Sequence, residues 1–146
     1  MTIAELKCEI ETGPLSAEFV DKSDNEIAEL LNSTLKFTAV KSRFITARTI
    51  LAELGPEMGA SVLDKMEAAS TQDSPVKWAF KFLMSDGIDI GFSGTRAQVD
   101  ALVSAQVLTE EEGSKLKDTA LYPASRCEVL GWSPVTYDQV NAARRL

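Results

Sequence analysis

Apolar residues recur at spacings of three and four over short stretches of this chain, which is the repeat of one helical face. The stretches include residues 2–12, 23–32, 42–54 and 75–85, and in the third of these the apolar face begins at Phe44. Glycine-proline pairs or polar residues separate the stretches. The pattern therefore predicts short helices joined by tight connections.

A helix start signal stands before several of these stretches. Serine or threonine followed three residues later by glutamate or glutamine is the sequence of a capping box, in which each side chain accepts the backbone N–H of the other residue. The chain contains such pairs at Thr2 and Glu5, Ser23 and Glu26, Thr109 and Glu112, Ser125 and Glu128, and Thr136 and Gln139. We therefore expect a mainly α-helical protein with about seven or eight short helices.

Two stretches are candidates for β-strands. TLKFTAV, between Thr34 and Val40, alternates polar and apolar residues, and IDIGF, from Ile88 to Phe92, is short and bounded by glycines. Both are short, so we expect at most a minor two-stranded element near 35–40 and 88–92. A chain of 146 residues has the size of one ordinary domain. We predict a single helical domain over residues 1–146 with one hydrophobic core.

Charge and hydropathy restrict the partners that we expect. The net charge of −7 disfavours nucleic acid and anionic membranes, because such polyanions are held by clustered lysines and arginines. No apolar run approaches the roughly 20 residues of a membrane-spanning helix. The first residues, MTIAELKCEIE, are acidic where a signal peptide is basic. We therefore expect no nucleic acid, no membrane, and a protein that stays in the compartment where it is made.

Candidate catalytic chemistry is sparse in this sequence. The chain has no histidine, which removes the usual general base, zinc ligand and partner of a nucleophilic serine or cysteine. Ser93 in GFSGT lacks the glycine of a nucleophile elbow, because Thr95 stands there. Asp86 and Asp89 in DGIDIG are typical of turns rather than of a calcium loop. We expect no catalytic residue, metal site or cofactor, with a small carboxylate-based enzyme as an alternative.

The two cysteines, Cys8 and Cys127, lie far apart in the sequence without a CxxC pair. We expect both to be buried or partly buried free thiols rather than a disulfide or zinc ligands.

Large aromatic residues are the candidates for an interaction surface. In VKWAFKFL, Phe80 shares a helical face with apolar neighbours and is predicted to be core, while other aromatics lie to its side. Aromatic side chains are favoured both at core edges and as interface anchors, so both roles stay open. The candidate interface residues are Trp78, Phe82, Phe92, Trp132 and Tyr137.

The two ends of the chain resemble a known group of proteins. Four stretches carry the resemblance: LKCEIETGPLSAEFVDKSDNEIAELLN, then GTRAQVDALVS, ASRCEVLG and VTYDQVNAAR. Together they are similar to a loose group of small helical proteins of tailed bacteriophages, often encoded among virion structural genes. That group has a "DPL" turn, an "LN" helix end, and a close of "SRAEELG" and "V-T-x-x-D-V-x-x-A-R". The corresponding residues here are 13–15, 31–32, 125–131 and 135–144.

The match departs from the group at two places. Residues 16–19 replace the glycine and tyrosine often found after "PL", and Cys127 stands where alanine is common. The group carries no catalytic residues that could be transferred to this chain.

The resemblance implies a non-enzymatic virion protein of the head, connector or tail, made in the host cytoplasm. Its expected partners are other phage structural proteins, with further copies of itself in the particle as a second candidate. An alternative is a phage-encoded inhibitor that binds a host or defence protein, since an acidic surface can occupy a basic cleft.

Overall fold

The structure is a computed structural model that describes residues 1–33 and 35–146. The described chain is mainly helical, which confirms the predicted fold class, with nine α-helices rather than seven or eight. The helices are α1 (Ile3–Thr12), α2 (Asp24–Ser33), α3 (Ala47–Leu54), α4 (Pro56–Ser70), α5 (Ser74–Leu83), α6 (Ser93–Ser104), α7 (Glu110–Asp118), α8 (Arg126–Val129) and α9 (Tyr137–Arg145). None of them, within the described residues, has the length and apolarity to cross a membrane.

Five helices begin at the capping boxes that the sequence predicts. At the start of α7, Thr109 Oγ1 accepts the amide of Glu112 at 3.1 Å, and the Glu112 carboxylate accepts the amide of Thr109 at 2.9 Å. The boxes that open α1, α2, α8 and α9 form in the same way. These caps are confirmed because each one depends on residues that are three positions apart.

The strands pair differently from the expected arrangement. They are β1 (Phe37–Val40), β2 (Phe44–Ile45), β3 (Ile88–Asp89) and β4 (Leu121–Ala124), with a 3-10 turn at Ser16–Glu18. Strand β1 pairs with β4, and β2 pairs antiparallel with β3. The stretches near 35–40 and 88–92 thus do contain strands, but the strands belong to two separate sheets. Thr34, at the start of the first predicted stretch, lies outside the described residues.

The prediction of a helix over the whole of 42–54 is wrong at its start. Phe44 lies in β2, opposite Asp89, and α3 begins only at Ala47. The reason is local: Thr46 is extended and caps α3 by accepting the amide of Thr49.

The expectation of one hydrophobic core is also wrong. Residues 1–39 and 122–146 form one compact unit, here called unit 1, and residues 40–121 form unit 2. The main clusters of buried apolar side chains fall one in each unit. Helices α3 to α7 bury their apolar faces among themselves, whereas α1 and α2 do so with α9. The single domain over 1–146 stays a prediction.

Unit 1 is built from both ends of the chain. Leu6 and Leu31 from the first segment are fully buried with Val140 and Ala143 from the last helix. Each such side chain contributes roughly 1.5–3 kcal/mol of hydrophobic stabilisation, or less for alanine. The fold of unit 1 therefore requires residues more than 100 positions apart to meet.

A buried ion pair joins the two segments of unit 1. The Arg126 guanidinium donates from Nε to Glu9 Oε1 at 2.7 Å and from Nη2 to Oε2 at 3.0 Å. The Glu9 side chain is almost fully buried, and Gly13 leaves room for its carboxylate because a Cβ at that position would collide with it. The bidentate geometry fixes α8 against α1 as well as pairing the charges.

Asn32 makes a second link between the segments. Its Nδ2 donates to the carbonyl of Val135 at 2.8 Å, and its Oδ1 accepts the amide of Val135, also at 2.8 Å. The Cys127 thiol donates to the same Oδ1 at 3.3 Å. One amide side chain therefore satisfies both backbone groups of a residue 103 positions away.

We expect Asn32→Ala to lower the free energy of unfolding by about 2–3 kcal/mol, because it leaves both backbone groups of Val135 without their side-chain partner. Urea denaturation followed by circular dichroism measures the change. Asn25→Ala, an exposed asparagine in the same helix, is the matched control and should change stability by about 0.5 kcal/mol or less. Equal effects of the two substitutions would contradict the structural role of Asn32.

Candidate functional site

The structure separates the five candidate aromatic residues into two groups. Four of them are about half exposed or more: Trp78 at 53%, Phe82 at 51%, Phe92 at 61% and Tyr137 at 48%. The fifth, Trp132, is partly buried and packs against the core of unit 1. About half or more of each of these four side chains is therefore open to contact with a partner.

Trp132 is turned onto the core by the end of α8. Gly131 adopts a positive φ of 67°, which favours glycine, and lets the amide of Trp132 donate to the carbonyl of Cys127 at 2.9 Å. Together with the bond from Gly131 to Glu128 this is a Schellman motif, which places the residue after the glycine over the helix end. Trp132 therefore belongs to the edge of the unit 1 core.

Trp78 and Phe82 lie one turn apart on the same face of α5. Leu83 is fully buried in the core of unit 2. Phe80 is partly buried and packs against this core, as the sequence predicts. At 100° per residue the apolar residues cover an arc of about 200°, which is wider than the face that unit 2 buries. Around the helix axis they follow one another in the order Trp78, Phe82, Pro75, Ala79, Leu83, Val76 and Phe80.

An open cleft of about 560 Å³ lies beside the first turn of α5. The end of α4, the start of α5 and the second half of α6 form its walls. Glutamine and aspartate side chains line part of it, but its surface is mainly apolar. A narrower cavity of about 30 Å³ shares Val76 and Leu102 with it and reaches the buried Met66. The apolar lining of the open cleft includes Ala69, Pro75, Val76, Ala101, Leu102 and Val107.

The charged groups of α5 lie at its start and along one edge. Asp73 caps the helix by accepting the amide of Val76 at 3.2 Å. Lys81 places its Nζ 4.5 Å from the centre of the Trp78 ring, a cation–π distance. Lys77 is exposed on the same side of the helix as Lys81. We call Trp78, Phe82 and the adjoining cleft the α5 surface.

Phe92 and Tyr137 are also exposed, and neither lines the open cleft. Phe92 stands at the start of α6, with its ring against the backbone of Gly94. Tyr137 is the first residue of α9. Within the described residues, the structure therefore brings together two of the five candidates, Trp78 and Phe82, on one helix whose first turn lines the cleft.

The most buried acidic side chains, Glu9 and Glu112, form ion pairs. The sequence patterns do not predict their burial. Glu112 accepts Lys65 Nζ at 2.8 and 2.9 Å and the Ser61 hydroxyl at 3.0 Å, in addition to its cap bond with Thr109. Burial raises the pKa of Glu112, but the bonds from Lys65, Thr109 and Ser61 outweigh it and hold that pKa below its ordinary value. A carboxylate that is ionised and fully bonded acts as a structural group rather than as a general acid.

The other residues considered for chemistry also have structural partners. The Asp89 carboxylate accepts the Ser42 hydroxyl at 2.6 Å and the amides of Arg43 and Gly91 at 2.8 and 2.9 Å. The Ser42 bond is the largest cause that lowers the pKa of Asp89, and Arg43 adds to it. Asp89 therefore closes a turn, as its sequence context indicates.

The two cysteines differ from each other. Cys127 is buried, as expected, and burial raises the pKa of its thiol, which disfavours the reactive thiolate. Cys8 is exposed, so the expectation that it is buried or partly buried is wrong. It lies on the solvent side of α1, where its Sγ is 3.4 Å from the Thr12 hydroxyl.

Comparisons of the chain with protein-family models, with curated proteins and with solved structures give no match.

We expect Glu112→Gln to lower the free energy of unfolding near pH 7 by about 1–3 kcal/mol, because Lys65 loses its carboxylate while the cap bond is kept. The pKa of Glu112 is lower in the folded protein, so its stabilising effect is present above about pH 4.5 and disappears as the pH falls through the folded pKa. Urea denaturation of both proteins near pH 7 and near pH 3.5 measures this. The control is Glu111→Gln, an exposed neighbour. A difference from wild type that does not shrink at the lower pH would contradict the ion pair.

Proposed function

We propose that this protein is a non-enzymatic interaction module that binds another protein through the α5 surface. The observation that carries the proposal is the pair of half-exposed aromatics, Trp78 and Phe82, one turn apart on α5. Pro75, one turn before Trp78, lines an open apolar cleft. Tryptophan is enriched among the residues that dominate binding energy at interfaces, and such residues cluster around pockets.

The exposed part of α5 is difficult to explain by folding alone. Unit 2 already buries Leu83, Val62 and Ile50 almost completely, so its core is closed without the two aromatic rings. Each ring leaves apolar area in water, at roughly 25 cal/mol for every Å² that a partner could cover. A partner that covers both rings and fills the cleft would recover this free energy.

We further propose that the protein acts in a tailed bacteriophage particle, as a structural or accessory component made in the host cytoplasm. The support for this setting is the resemblance of residues 13–15, 31–32, 125–131 and 135–144 to small phage proteins. The partners would then be other structural proteins of the particle or further copies of the chain.

A carboxylate-based enzyme has less support. Two glutamates stand out among the buried polar side chains, and each is held by a cation: Glu9 by Arg126 and Glu112 by Lys65. A glycosidase-like mechanism needs two carboxylates that face one cleft, one of them with a raised pKa. The α5 surface has no such pair among its described lining residues.

We expect Trp78→Ala combined with Phe82→Ala to reduce the number of copies in purified particles at least about tenfold, because it removes both aromatic anchors. Quantitative mass spectrometry of particles grown with each variant measures the copies. Tyr137→Ala, which removes an equally exposed aromatic of unit 1, is the matched control.

Unchanged copy numbers for the double variant would contradict the proposed role of the α5 surface. An absence of the wild-type protein from particles, together with one specific host protein in a pull-down from host lysate, would replace the virion proposal with the inhibitor alternative.

A further inference from the structure

Helix α5 differs in charge from the chain as a whole. It carries Lys77 and Lys81 and no acidic residue, whereas the chain has a net charge of −7. Both lysines are exposed, and neither forms an ion pair with another described residue. The edge of α5 that carries Lys77 and Lys81 is therefore basic and free to pair with external acidic groups, whereas Asp73, which caps the helix, lines the cleft.

The lysines border the aromatic pair on one side only. Around the helix axis, Lys81 and then Lys77 follow Trp78 on one side, whereas Phe82 and then Pro75 follow it on the other. Pro75 lines the cleft and lies one turn before Trp78. The Lys81 ammonium is held over the Trp78 ring. The α5 surface thus has a defined order across it: a cationic edge, an aromatic stripe and an apolar cleft.

We propose that the α5 surface binds an amphipathic helix of a partner protein whose apolar face is bordered by acidic residues. This inference rests on the proposed function and adds the chemistry of the partner. In such a complex an aspartate or glutamate of the partner accepts a hydrogen bond from Lys81 Nζ. An apolar side chain three or four residues along the partner helix then contacts Trp78 or enters the cleft.

The distance between Lys81 and Trp78 matches the spacing of side chains on one face of a partner helix. The Lys81 Nζ and the centre of the Trp78 ring are 4.5 Å apart. Side chains three or four residues apart on a helix have Cβ atoms separated by roughly 5–6 Å, so one helical turn can present a carboxylate to Lys81 and an apolar group to Trp78. A helix laid in a groove between helices is a common mode of peptide recognition.

Other anionic partners fit the same surface less well. Nucleic acid and anionic membranes need several clustered cations, and two lysines on a protein with a net charge of −7 give little counterion release and a repulsive long-range field. A short acidic segment meets the same long-range field, but salt screens that field beyond about 8–10 Å, whereas the contacts with Lys77 and Lys81 are shorter than this. The two lysines would also repel partner helices that carry basic residues beside their apolar face, which adds selectivity.

The test uses the full chain and two designed helical peptides, each labelled with a fluorophore. Both peptides carry leucines at spacings of three and four; one has glutamates beside the leucine face, and the other has lysines at the same positions. We expect fluorescence anisotropy at about 0.15 M salt to show at least about tenfold tighter binding of the glutamate peptide, because a Debye length of about 8 Å screens the net charge of −7 but not the contacts with Lys77 and Lys81. The variant Lys77→Glu with Lys81→Glu should reverse this preference. Lys115→Glu, a charge-matched change at an exposed lysine of α7, should keep it.

Equal affinities for the two peptides, or no binding of the glutamate peptide, would overturn the inference. Tighter binding of a single-stranded oligonucleotide or of anionic lipid vesicles than of the glutamate peptide would overturn it as well. These outcomes leave the proposed function standing if the Trp78 and Phe82 double variant is still lost from particles. Conversely, a clear glutamate preference with normal incorporation of that double variant would support the inference and contradict the particle role of the surface.

Discussion

The burial of apolar faces from the two ends of the chain against each other is the contact on which unit 1 depends. Leu6 and Leu31 have no exposed surface, and Val140 and Ala143, more than 100 positions later, have none either. Neither end has enough apolar area to form a core by itself. Unit 2 is inserted in the sequence between these ends, so its chain begins and finishes at the paired strands β1 and β4.

Polar links give that hydrophobic contact its register. Hydrophobic burial is not directional, whereas the bidentate bonds from Arg126 to Glu9 and the pair of bonds between Asn32 and Val135 each allow one geometry. Both links have one partner in the first segment and one in the last. Asn32 in the first segment and Arg126 in the last are therefore residues that align the two segments of unit 1.

Local and distant interactions differ in how well the sequence predicts them. The capping boxes, the helical fold class and the core position of Phe80 follow from residues within one or two turns, and the structure confirms them. The partner of Arg126 lies 117 positions away, and no periodicity indicates it. The cleft depends on how α4, α5 and α6 pack, so its lining could not be predicted from any single helix, although Trp78 and Phe82 are predicted as interface candidates.

Helix α5 connects the fold to the proposed activity, because its apolar arc is wider than the face that unit 2 buries. If a partner covers the exposed part of this arc, Trp78 and Phe82 lose solvent exposure when the protein is bound to that partner. Hydroxyl-radical footprinting with mass spectrometry, applied to the free protein and to purified particles, measures this directly. We expect both side chains to be oxidised readily in the free protein and protected in the particle, while Tyr137 serves as the internal reference. Equal oxidation of Trp78 and Phe82 in the two states would contradict the account.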